Sequence, residues 1–379
     1  MTMSCQFGAR RASRLLVTSA PMANVTPMHQ EAPQIQFEQR GALGLITLNR
    51  PKALNALTHH MCVAMFETLE EWARDEGVRA VAIQGAGERA FCAGGDIRAM
   101  AESSRESSSA AAEFLRDEYR LNARIGAYHK PYIALTYGVV MGGGAGVSVH
   151  GRYRLGTPDL KFAMPETAIG FVPDIGSSFF LSRLKSEAGL YLALTGTTIG
   201  LGDAMMLGLF THHLTRSDHP ALIARLADGE PAKSAIAALA RPAPSASLTV
   251  CLNLIATCFS AASVEAVLER LDRDGGDFAL QTASVIRARS PASLKLAFRL
   301  LKEGTSLSRE QCLKMEYRVA SRRVMDGDFR EGVRAQILDK DGRPRWHPES
   351  LAAAREADIA GYFASLGARE LPLAEIASG

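Results

Sequence analysis

The stretch "YGVVMGGGAGVSVHG", residues 137–151, decides how this chain is read. An apolar run reads as a strand, Gly142, Gly143 and Gly144 follow, and small apolar residues then suit a short helix. The first N–H groups of a helix have no partner inside it, so glycines at that junction let a ligand oxygen come close to them. The spacing is not that of a dinucleotide fold, which needs G-x-G-x-x-G and an acidic partner downstream. It also lacks the Lys-Ser/Thr of a phosphate-binding loop. No G-x-S-x-G elbow supplies a nucleophile, and Ser148 and Ser182 lie in unrelated contexts. On its own, the loop is equally a place for close helix packing.

Upstream, "ERAFCAGGDIRAM" (88–100) repeats the arrangement, with Gly94 and Gly95 between a strand and a helix that Asp96 is placed to cap. One such loop is a turn with a cap. Two can converge on a single carbonyl oxygen and form a two-donor oxyanion hole. Downstream, "KFAMPETAIGFVPDIG" (161–176) carries Glu166 and Asp174, each directly after a proline that fixes the backbone. Phe162, Met164, Ile169, Phe171 and Val172 make the surroundings apolar. A carboxyl desolvated there has its pKa raised towards acid–base duty. The plain alternative is a pair of loop acids that cap or form ion pairs. In "FLRDEYRLN" (114–122), Asp117 and Glu118 sit in an amphipathic helix, where surface charge is the default for both.

Working outward, "LGLITLNRP" (43–51), "RAVAIQGAG" (79–87), "PYIALTYG" (131–138), "RYRLG" (152–156) and "LKFAM" (160–164) read as strands, with order starting near Ile35. Met61, Met65, Leu69 and Trp72 recur at helical steps and form a core stripe on a helix from about Leu57. Helical patterns separate several strands, so an α/β or mixed layered core is expected. "ARPAPSASL" (240–248) is a break. Beyond it, 249–273, 291–303 and 308–325 read as helix, and one more helix opens at 348–349. The chain divides into an extension at 1–34, a mixed core at 35–240 and a helical region at 241–379.

Composition narrows the function classes. The 379 residues are 47% hydrophobic and 22% charged, with a formal charge of +3, an ordinary balance for a globular protein. No dense Lys/Arg block with interleaved aromatics occurs, which argues against nucleic acid. No apolar run reaches membrane-spanning length. "SRRVMDGDFREGVR" (321–334) mixes signs and reads as solvated or salt-bridged surface. The six cysteines are scattered without ligand spacing, and the adjacent pairs His59/His60 and His212/His213 share no helix face, so no metal site is expected. Scattered thiols suit a reducing compartment. Residues 1–30 hold three arginines and no Asp or Glu, which suits an organellar transit peptide or a plain extension. The Ala- and Arg-rich composition favours a bacterial cytoplasmic protein, with the mitochondrial matrix as the alternative.

Taken together, "NRPKALNAL", "AFCAGGDIRAM", "GVVMGGGAG" and the acid-bearing loop, in this order, resemble the crotonase (enoyl-CoA hydratase/isomerase) superfamily from about residue 35 to 379. Within it, "DEYRLN", "MGGGAGVSVHG", "FAMPETAIGFVPDIG", "KMEYRVA" and "EGVRAQILDKDGRPRWHP" are most similar to the 3-hydroxyisobutyryl-CoA hydrolases. The resemblance implies an α/β fold, a spiral of ββα turns with a helical C-terminal region. It implies an acyl-CoA substrate whose carbonyl lies between the amides of Gly95 and Gly143. Glu166 and Asp174 would be the catalytic acids, and Glu118 a further polar contact in the acyl pocket. Lys52 and Leu54 in "RPKALNA" would lie along the CoA moiety. Hydratases of the superfamily use a second glutamate just after the triple glycine, and here that position is Gly146. The implied activity is hydrolysis of a 3-hydroxyacyl thioester in valine breakdown, with no cofactor, since CoA is part of the substrate. Enoyl-CoA hydration or isomerisation, with Asp174 replacing the missing glutamate, is the alternative enzyme reading. A non-catalytic CoA-binding protein is the third. Trimers and hexamers are common in the superfamily, so a homo-oligomer is expected.

Overall fold

Strand β1 (Ile35–Arg40) turns back through Gly41 and Ala42 into β2 (Leu43–Leu48), and the two pair antiparallel from Ile35↔Leu48 to Arg40↔Leu43. The structure is a computed structural model describing residues 32–106 and 108–373, so the transit-like segment at 1–30 lies outside the described residues. Helix α1 (His59–Arg74) follows, started by Thr58, whose side chain accepts the Met61 amide. Its Met61, Met65, Leu69 and Trp72 are buried as one stripe. Next come β3 (Ala80–Gly85), β4 (Ala90–Cys92), α2 (Ile97–Glu106) and α3 (Ser108–Gly126). Then β5 (Tyr132–Leu135) and β6 (Val139–Met141) lead into α4 (Gly143–Val149). The series ends in β7 (Tyr153–Gly156), β8 (Lys161–Ala163) and β9 (His212–His213).

From β3 onward, successive strands alternate between two sheets. One has six strands in the order β1-β2-β3-β5-β7-β9, parallel from β2 onward; the other has three parallel strands, β4-β6-β8. This is an α/β spiral of ββα turns. Both faces of the large sheet are covered, as parallel sheets require. Leu43, Leu45, Ala82, Ile133 and Leu135 pack with Leu222, Leu226 and Ile236 on one face. Ile46, Leu48, Val81, Ile83 and Ala134, at the alternate positions, belong to the main core on the other.

The small sheet positions the site. β4, β6 and β8 are parallel neighbours, so the chain leaves their C-terminal ends side by side. The three exits are the loop of Gly94 and Gly95, the loop of Gly142 and Gly143, and the loop of Pro165 and Glu166.

The C-terminal region is helical, with corrections to the sequence reading. The expected helix at 249–273 is broken, because Ser263 caps a new helix, Val264–Asp274, by accepting the Ala266 amide. The expected tail helix at 348–349 begins instead at Glu356, where Glu356 and Asp358 place negative charge in the first turn. The "ARPAPSASL" break is clamped: Asp203 accepts the Leu248 amide and the Ser247 hydroxyl, each at 2.7 Å. The mixed-sign 321–334 stretch is not all surface. Arg323 and Asp328 are buried and Phe329 is fully so.

Candidate active site

The "NRPKALNAL" loop is a brace for the first glycine pair. The Asn55 side chain accepts the Arg50 amide and donates to the carbonyls of Ala86 and Ala90, all at 2.9 Å. The Leu57 amide donates to Gly94 and the Asp96 amide to Leu57, both at 2.8 Å. Gly95 is thus gripped on either side while its own N–H has no partner among the described residues. Arg50 holds Asp96 at 2.9 Å, and Asp96 in turn accepts the Ala99 amide to start α2.

The second amide comes from α4. Gly142 stands at φ 48° and ψ −126°, a conformation essentially reserved for glycine, and turns the chain from β6 into the helix. Gly143 is then the first helical residue, and its N–H has no partner among the described residues. A Cβ on Gly143 would lie 3.2 Å from the Gly95 nitrogen and overlap the Glu118 carboxylate. The two free amides therefore lie close together beside a carboxyl group.

They open onto a cavity of about 320 Å³ lined by Gly95, Gly143, Glu118, Glu166 and Asp174, with Met100, Phe114, Phe171 and Phe329 among its apolar walls. Glu118, Glu166 and Asp174 are 3%, 6% and 5% exposed, and none has an ion-pair partner among the described residues. Burial pushes the Glu166 carboxyl well above its ordinary range, and Asp174 adds to the effect. Burial does the same to Glu118, again reinforced by Asp174. Asp174 rises to about 7 through burial, held back by the Tyr119 hydroxyl, which donates to Oδ2 at 2.8 Å. Three carboxyls in one apolar cavity cannot all ionise, so they titrate as a set. Glu118 Oε1 and Glu166 Oε2 are buried without partners among the described residues, places for a water or a substrate group.

The structure brings together five of the seven singled-out residues. Glu118 corrects the surface default, whereas Asp117 next to it does face outward enough to pair with His59 at 2.7 Å. Lys52 and Leu54 do not line the cavity. Lys52 is exposed in the one-turn helix Pro51–Ala53, and the Leu54 carbonyl accepts the Ala93 amide at 3.0 Å, so Leu54 borders the Gly95 loop from outside. Gly146 does not line the cavity either, and a Cβ there would meet the side chain of Asn122 on α3. Sequence reasoning missed Tyr119 and the C-terminal wall of Phe329, Gln336 and Ile337. Tyr119 was within reach, since Leu115, Glu118, Tyr119 and Asn122 recur at helical steps on one face. Among the described residues, no group of three His, Cys, Asp or Glu side chains is placed to hold a metal ion. No helix among them is long and apolar enough to cross a membrane.

Comparison with known proteins follows the same lines. The family described as "Enoyl-CoA hydratase/isomerase" matches residues 43–363. A curated relative from Danio rerio, "3-hydroxyisobutyryl-CoA hydrolase, mitochondrial", is 43% identical over 350 residues, covering 90% of this chain and 92% of that protein. A Homo sapiens protein of the same description is 42% identical over 351 residues, covering 90% and 91%. Among solved structures, a carnitinyl-CoA dehydratase from Mycobacterium thermoresistibile superposes with a TM-score of 0.87 at 38% identity, over 90% of this chain and 99% of that one. An enoyl-CoA hydratase from Rhodobacter sphaeroides gives 0.84 at 35% identity, over 90% and 100%. The profile match, the relatives and the spiral around two facing glycine amides agree: the chain belongs to the enoyl-CoA hydratase/isomerase family.

Proposed function

We propose that the protein hydrolyses 3-hydroxyisobutyryl-CoA, or a related 3-hydroxyacyl-CoA, to the free hydroxy acid and CoA, the step named for its curated relatives. The observation that carries this reading is the pair of unpartnered amides, Gly95 and Gly143, meeting beside three buried carboxyls. The thioester oxygen accepts both N–H groups, and each such donor contributes about 2.7–4 kcal/mol as the oxygen gains charge in the transition state. Glu166, with one oxygen unpartnered in the cavity, takes the proton of the attacking water or itself adds to the carbonyl carbon. The C–S bond then breaks and CoA leaves as the thiol, taking the proton Glu166 received in the first course. In the second, a neighbouring protonated carboxyl supplies that proton, and water splits the mixed anhydride to free the hydroxy acid and Glu166 and to restore the proton. Asp174 orients the water or the substrate hydroxyl, and Glu118 supplies a further polar contact. Lys52 and Leu54 flank the exposed CoA moiety. The reaction so written uses no metal or cofactor, because CoA is part of the substrate.

The solved structures named for hydratase and dehydratase chemistry favour a second reading, addition of water to an enoyl-CoA. Thiol release and loss of the conjugated double bond separate the two. Hydrolysis gives free thiol from 3-hydroxyisobutyryl-CoA and leaves crotonyl-CoA intact; hydration removes the double bond of crotonyl-CoA without free thiol. Binding of both without turnover would support a CoA-binding protein instead. The relatives are mitochondrial by name, which supports the matrix for this chain too; import of a fusion carrying residues 1–34 tests that against the cytoplasmic reading. A homo-oligomer, expected from the superfamily, is read directly by light scattering.

A further inference from the structure

The signature "KMEYRVA" has no place in the site so far. Its Glu316, on the helix Arg309–Arg323, is fully buried and has no ion pair among the described residues. Its two oxygens accept the backbone N–H groups of Gly176 and Ser178, each at 2.6 Å. Gly176 ends the turn that starts at Asp174, and Ser178 lies in the first turn of the one-turn helix Ser177–Phe180 that follows it. The 174–176 turn is strained: Ile175, a β-branched residue, stands at φ 54° and Gly176 at φ 88°. Such a conformation persists only where the surroundings over-determine it. His150, which burial keeps neutral by lowering its pKa to about 4, adds one more hold by donating Nε2–H to the Ile175 carbonyl at 2.7 Å. From the opposite side the Tyr119 hydroxyl donates to Asp174. The Tyr119 ring stands edge-on to Tyr317, the next residue of the same signature, at 5.8 Å.

We propose that Glu316 and Tyr119 are positioning residues for Asp174: Glu316 holds the strained 174–176 turn and the start of the helix after it by two amides, and Tyr119, backed by Tyr317, sets the carboxyl group. The proposal rests on the reading of Asp174 as a working residue of the thioester site. A carboxyl group suits the task because both its oxygens accept; burial raises it to about 8, and the hydrogen bonds from Ser178 and Gly176 oppose that rise. A glutamine in its place accepts at one and turns an NH₂ group towards the other amide.

Thiol release from 3-hydroxyisobutyryl-CoA is measured for Glu316→Gln, Tyr119→Phe, Asp174→Asn and the two double variants, with thermal melts as a check of folding. Each of the first two is expected to lose about tenfold to a hundredfold in kcat, with KM moving far less, as for a misplaced catalytic group. In the Asp174→Asn background neither is expected to lower kcat further. Losses that multiply, or full kcat in either single variant, overturn the proposal. Wild-type kcat in Asp174→Asn alone is a different failure: it removes Asp174 from the chemistry and leaves nothing to position. If Glu316→Gln does not fold, Tyr119→Phe, which keeps the ring packing, decides the claim by the same cycle.

Discussion

Asp174 shows how the surroundings of one residue set its chemistry. Burial raises its carboxyl to about 7, and burial together with the Asp174 charge holds Glu118 and Glu166 well above the ordinary carboxylate range beside it. Water activation needs an ionised Glu166, which burial and the Asp174 charge hold well above the ordinary range, so the acid limb of kcat/KM is expected well above the ordinary carboxylate value. A pH–rate profile checks this; an acid limb near the ordinary carboxylate value of about 4 would contradict it. Stability moves the other way. The fold favours the protonated Asp174, so its contribution is full below the ordinary value of 3.8 and is lost as pH rises through about 7. The denaturation midpoint should therefore fall across that window, and less so in Asp174→Asn. At this scale the sequence was legible where chemistry needs a residue type: the proline-anchored acids and the glycines. It was least legible at Glu118, because an acid on a helix is usually solvated and only the burial of its neighbours shows otherwise.

At the scale of elements, the small parallel sheet does the positioning. Three exits from β4, β6 and β8 lie together, and the start of α4 supplies an amide that no helix bond can use. Gly143→Ala keeps the helix but sets a methyl against the Glu118 carboxylate and the Gly95 amide. The expected result is a kcat loss on the order of 10²–10³, the effect of losing one oxyanion donor, with an unchanged far-UV spectrum. Full thiol-release activity in that variant would contradict the two-amide site. Strands were legible from short apolar runs ended by glycine or proline, such as "RAVAIQGAG". Helix limits were less so, since the break at Ser263 depends on a cap and the late start at Glu356 brings acids into the first turn, neither of which composition singles out. The facing of Gly146 towards Asn122 depends on packing between α3 and α4, which no local pattern carries.

Across the whole molecule, the C-terminal helices complete the cavity. Phe329 packs against Phe171 at 5.3 Å, and Gln336 and Ile337 close the wall. Arg323 ties this region to the Glu166 loop: its guanidinium donates to the Gly170 carbonyl at 3.0 and 2.6 Å, to Ser293 at 3.0 Å and to Asp326 at 2.8 Å. Arg323→Met takes this donor from the Gly170 carbonyl and from the buried Asp328, which keeps only the neutral donors Ser290 and the His347 amide. It is expected to cost about 3–5 kcal/mol in urea denaturation, as for a broken buried pair; a loss under about 1 kcal/mol, the surface-pair range, would contradict the tie. These long-range contacts join residues some 150 positions apart, beyond the reach of any sequence window. The proposed chemistry depends most on Glu166 as the group that activates attack on a thioester held by Gly95 and Gly143. Thiol release from 3-hydroxyisobutyryl-CoA by folded Glu166→Gln measures this directly: a kcat loss of about 10²–10⁴ or more is expected, and near-normal release would contradict that role.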